Sequence, residues 1–92
     1  SFPTRRSSDL FRFGNDLGLS VQVQKKAARM LFTAIKHGLR KMGKDPKGLA
    51  AAVLYMAAKP TSERLTQAEI AECTRITEVT LRTRAKQIKK NL

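Results

Sequence analysis

The chain has 92 residues, with 19 Lys and Arg against 7 Asp and Glu, for a net charge of +12. That length allows one small domain, and the positive surplus points to a polyanionic partner: nucleic acid first, with an anionic membrane surface or an acidic protein as the alternatives. A hydrophobic content of 41% excludes compositional disorder, and no apolar run reaches the roughly 20 residues that span a bilayer. Cys73 is the single cysteine, which excludes a disulfide framework, and with only His37 beside it no zinc site can form. No metal or cofactor is expected. The chain reads as soluble and intracellular, with no membrane partner and no signal-peptide core.

In chain order, residues 1–10, SFPTRRSSDL, resemble the translation of a common sequencing adapter. They are set aside as a non-native, disordered segment. The alternative is a natural polar arm gripping DNA through Arg5 and Arg6. Removing two arginines and one aspartate leaves +11, so the charge argument stands. On this reading the native part is 11–92 and lacks its own beginning. FRFGNDLGL, with two glycines, closes a short, truncated first helix. Apolar surface on the next two helices is then expected to be left uncovered.

Ser20 suits an N-cap, because its hydroxyl can accept from an orphan amide of the first turn. Val23, Ala27, Met30, Leu31, Ala34 and Ile35 follow at helical spacing and form one apolar face. Gly38 is a natural stop, and RKMGKD is a basic loop. Pro46 is placed for a first helical turn. PKGLAAAVLYMAAK is apolar almost all round, as the buried centre of a domain is, with Leu49, Val53 and Met56 as its core stripe. Pro60 ends it. His37 reads as a surface or helix-end residue, Cys73 as a small core residue, and Tyr55 as core with its hydroxyl at the edge.

Thr66-Gln-Ala-Glu69 is a capping box, and Thr77 caps another helix soon after. Two short helices with about four residues between them have helix-turn-helix spacing, over 66–90. Ala71 suits the crowded crossing, and Ile70, Ile76 and Leu81 fall where the motif needs apolar contacts. Arg75 stands near the usual place of a turn glycine. Residues 61–74 carry three Glu and one Arg, whereas 75–92 carry six Lys or Arg and one Glu. The second helix is therefore the basic one, as a helix entering a groove should be. Val79 can pack on a thymine methyl, and Arg82 can donate two hydrogen bonds to guanine. Arg84, Lys86 and Lys89 are candidates for phosphate contact, with Arg75, Thr77, Thr80 and Thr83 alongside them. The alternative is a helical hairpin that only packs. No Ser-His-Asp grouping, glycine-rich phosphate loop or paired carboxylates stands out, which argues against an enzyme.

RFGNDLGLS, VQKKAARML, DPKGLAAAVLYMAAK and TQAEIAECTRITEVTLRTRAKQI, in that order and spacing, resemble the second cyclin-like repeat of archaeal transcription factor B, the factor IIB family. The resemblance covers 11–92. It implies an all-α, cyclin-like bundle of four helices plus a truncated first helix, ending in a helix-turn-helix. It further implies promoter DNA as partner, with that motif reading the B recognition element beside the TATA element. Val79 and Arg82 match the family's base-contacting valine and arginine. TATA-binding protein and RNA polymerase are partners implied for the full-length protein, and the implied location is cytoplasmic, at the nucleoid. Ala85, where an aromatic is common, and Cys73 depart from the pattern. The second reading is a cyclin-type module that binds protein without sequence-specific DNA contact.

Overall fold

A computed structural model describes residues 4–37 and 46–92, with side chains described from Leu10 onward except at Pro46. Five helices follow in order: α1 Thr4–Asp16, α2 Val21–Lys36, α3 Pro46–Ala58, α4 Gln67–Thr74 and α5 Glu78–Lys90. No strand occurs among the described residues, so the chain is all-α.

The chain is helical from Thr4, so residues 4–10, seven of the ten expected to be disordered, lie in α1. The reason is the apolar spacing of Leu10, Phe13 and Leu17. Leu10 is 1% exposed and Phe13 is buried beside it, while Leu17 packs half-buried on the same core. Burial of that face holds the preceding turn in a helix whatever the origin of its residues. Gly18 then ends α1 in the left-handed region, at φ 71°. Its amide donates to the Asn15 carbonyl at 3.0 Å, and the Leu19 amide donates to the Gly14 carbonyl at 2.9 Å. This is a Schellman closure, and it satisfies two carbonyls the helix would otherwise leave orphaned.

Ser20 caps α2, accepting from the Val23 amide at 3.3 Å. Val23, Ala27, Leu31 and Ala34 are buried, and Met30 and Ile35 sit half-buried beside them. Gln24 is buried among them because its amide is satisfied: Nε2 donates to Leu19 O at 2.9 Å and to Asn15 Oδ1 at 3.1 Å. It lies against Gly14, where an added Cβ would stand 2.6 Å from Gln24 Cδ. That glycine is what lets α1 and α2 close. α2 stops at His37; Gly38 and the basic loop lie outside the described residues.

α3 is the axle of the bundle. Leu49 to Leu54 are buried without a break, as are Ala57 and Ala58. The helix packs on α1, α2, α4 and α5. A run of alanines permits such close approach on every side. Met56, expected in the core stripe, is half-buried, and Leu54 takes a fully buried place. The expectation of uncovered surface on α3 is therefore not met, because α1 reaches back far enough to cover it. On α2, Val21 and Phe32 are exposed.

After α3 the chain crosses to α4 through a polar segment that is tied down at one point. Glu63 accepts from both the amide and the hydroxyl of Ser20, at 2.6 and 2.7 Å. These two bonds hold the carboxyl below the usual carboxylate range, since both favour its charged form.

Candidate nucleic-acid interface

α4 begins at a complete capping box. Thr66 Oγ1 accepts from the Glu69 amide at 3.1 Å, and Glu69 Oε1 accepts from the Thr66 amide at 3.1 Å. Eight residues later the helix ends on Arg75, which adopts φ 59° and ψ 40°. This is the left-handed conformation that a turn glycine usually supplies, here taken by an arginine. The Ile76 amide donates to the Ala71 carbonyl at 3.1 Å, closing the turn. Thr77 then caps α5, accepting from the Thr80 amide at 3.1 Å. Ile70, Ala71, Thr74, Leu81 and Ile88 are buried, and Ile76 packs on the core. Thr74 is buried without penalty because its hydroxyl donates to the Ile70 carbonyl at 2.7 Å. The two helices thus hold a fixed angle through apolar contacts on one side and a left-handed turn at the corner.

This arrangement leaves the other side of α5 in solvent. Val79 is 63% exposed, which for a valine on a small packed domain means it touches little of its own chain. Arg82, one turn on, is exposed, and its Nη1 donates to Gln67 Oε1 at 3.0 Å. Lys86 and Lys89 are exposed further along, and Arg75 is exposed at the corner. Val79, Arg82, Lys86 and Lys89 follow steps of three and four, so they share one face of α5.

The remaining candidates are differently placed. Arg84 is half-buried; its Nη1 donates to Gln87 Oε1 at 2.8 Å, and its Nε is buried with no hydrogen-bond partner. It lies along α5 more than outward from it. Thr77 donates to Thr80 Oγ1 at 2.9 Å, and Thr83 donates to the Val79 carbonyl at 2.9 Å. Both hydroxyl protons are therefore used inside α5. Glu78 sits in the first turn. It complements the helix dipole of the free protein and opposes a phosphate at that end. The charge available to a polyanion lies instead in the middle and last turns.

Sequence reading missed Gln67 and the new role of Tyr55. Gln67 Nε2 donates to the Tyr55 hydroxyl at 3.4 Å while its other end accepts from Arg82. These contacts bridge 12 and 15 residues and leave no periodic trace. His37 is at a helix end as expected, with Nδ1 2.7 Å from the Asn91 carbonyl. Cys73 is half-buried instead of core, and burial, then the charge of Asp16, push its thiol up. Among the described residues no cluster of three or more His, Cys, Asp or Glu could hold a metal ion, and no helix is long and apolar enough to cross a membrane.

Comparison with known proteins places this chain in a family. The family model of the transcription factor TFIIB repeat matches residues 4–91. The chain is 46% identical to transcription initiation factor IIB 2 of Thermococcus kodakarensis, over 98% of its own length and 29% of that protein's. It is 49% identical to transcription initiation factor IIB of Methanopyrus kandleri, over 94% of the chain and 28% of the relative. With the factor of Pyrococcus furiosus it shares 46% identity over 88% of the chain and 27% of the relative. The chain therefore spans less than a third of these relatives. The chain belongs to the transcription factor TFIIB repeat family.

Proposed function

We propose that this chain acts in transcription initiation by binding promoter DNA beside the TATA element, with α5 in the major groove. One observation carries the reading: Val79, largely free of its own chain, stands one turn from an exposed Arg82 on a helix anchored by Leu81 and Ile88. An apolar side chain reads a thymine methyl and a guanidinium reads guanine, so the pair has the two chemistries that major-groove edges offer. Lys86 and Lys89, on the same face, are assigned to phosphates, and Arg75 to the backbone at the corner. Thr80 is a further backbone candidate. Arg84, Thr77 and Thr83 serve α5 itself and contribute potential or positioning more than direct contact. Within a longer protein of this type, TATA-binding protein and RNA polymerase are the proposed partners.

The test is binding over a salt series to a duplex carrying a purine-rich B recognition element and to a random duplex. Arg82→Ala should cost about 1–3 kcal/mol on the first and little on the second, because a bidentate base contact is lost. Lys86→Ala should weaken both alike and lower the salt slope by about one unit, as the loss of one phosphate contact does. Equal losses from Arg82→Ala on both duplexes would refute base readout and leave only an electrostatic patch.

A further inference from the structure

Arg82 is a long side chain on an exposed helix face, and such a side chain ordinarily samples many rotamers. Here it is tethered. Its Nη1 donates to Gln67 Oε1 at 3.0 Å. Gln67 is the first residue of α4, and its backbone is fixed by the Thr66 capping box on one side of it. The Gln67 side chain is half-buried and is itself directed: Nε2 donates to the Tyr55 hydroxyl of α3. An amide has one donor end and one acceptor end. A tyrosine hydroxyl can take either end, whereas a guanidinium only donates, so Arg82 takes the acceptor end and the donor end is left to Tyr55. The reverse orientation would set an NH2 against a guanidinium, donor against donor. Arg82 therefore sets the polarity of Gln67, the Tyr55 hydroxyl of α3 holds the amide's other end, and Gln67 sets where Arg82 stands.

Resting on the base-reading role of Arg82 given above, we infer that Gln67 is a specificity-determining positioning residue, with Tyr55 supporting it. A guanidinium carries five N–H donors, so one bond to Gln67 leaves the outer edge free for a bidentate contact with a base. Binding then immobilises a side chain already held, so less side-chain freedom is lost when the complex forms. Random DNA offers no base contact for Arg82 to make, so the tether is without effect there. What Gln67 governs is the ratio between specific and random binding.

The experiment is a double-mutant cycle on the whole chain, with a B-recognition-element duplex and a random duplex as probes and a melting curve for each variant. Gln67→Ala should lower the specific-to-random ratio by about threefold to tenfold, the value of holding one such side chain, with the melting temperature nearly unchanged. Placed on Arg82→Ala, it should lower the ratio no further. Gln67→Glu keeps the acceptor and should keep the ratio, while its charge weakens binding to both duplexes. Tyr55→Phe should lower the ratio in the same direction, by less. If Gln67→Ala and Arg82→Ala lower the ratio additively, Gln67 acts on DNA by itself and the inference falls while the base-reading role stands. If Arg82→Ala leaves the ratio unchanged, the base-reading role fails first.

Discussion

Arg75 joins α4 to α5 at φ 59°, a conformation that costs an L-residue about 1 kcal/mol or more relative to glycine. It is the one described non-glycine residue with positive φ. Nothing in its hydrogen bonding rewards the choice, since the turn bonds are made by backbone groups any residue has. Its side chain is exposed and cationic at the corner nearest α5. Arg75→Gly should therefore raise stability, by up to about 1 kcal/mol after the extra unfolded-state entropy of glycine is subtracted. On the proposed function it should also weaken DNA binding without sequence preference, as the loss of a phosphate contact does. Chemical denaturation reads the first effect and a salt series the second. A stability decrease would mean the arginine side chain contributes contacts the turn depends on.

Among elements, the placement of α5 depends on how α4 is held, and the α3–α4 segment is held by Glu63 on Ser20. The contact joins the N-cap of α2 to the chain leading into α4. Because the folded state lowers the pKa of Glu63, its contribution to stability is fully present above the unfolded carboxylate value, about 4.3. It is lost as pH falls through the still lower folded value. Glu63→Gln should melt below the parent chain near neutral pH. The gap should narrow steadily as pH falls below about 4.3, and melting curves at several pH values measure it. A gap that stays constant with pH would show that the carboxylate charge is irrelevant to the tie. The carboxyl is at the surface, so the effect should be modest in salt.

At the scale of the molecule, every other helix packs on α3, so coverage of α3 decides stability. α1 supplies Leu10 and Phe13 to that core. Leu10 is the last residue of the adapter-like segment, and the family match begins at residue 4. We keep the proposal that the segment's codons are adapter-derived. A helix does not ask where its leucine comes from, and the burial here is physical. Deleting residues 1–10 should therefore lower stability. The loss of a fully buried leucine alone accounts for about 2–5 kcal/mol, a large part of what so small a domain has. Thermal unfolding of the 11–92 chain against the full chain checks it. Equal melting temperatures would mean that α1 before Phe11 contributes nothing.

The sequence by itself determined what is local. Ser20, Thr66 and Thr77 are read as caps and act as caps, because a cap is satisfied within three residues. The apolar face of α2, the all-round apolar α3 and the charge step into α5 follow from periodicity and composition, which need no partner to be seen. Val79 and Arg82 are marked by their place in the second helix of the motif and by the family resemblance, and both are exposed on α5. Tertiary structure alone decided the rest. It drew residues 4–10 into α1 because Leu10 finds a core to enter, a fact absent from a short polar string. It turned Arg84 along its own helix, left Cys73 and Met56 at the margin of the core, and held Arg75 in the left-handed conformation. Above all it brought Tyr55, Gln67 and Arg82 into one line across three helices. Contacts of that kind depend on how helices cross, and packing sets the crossing, not the order of residues along any one of them.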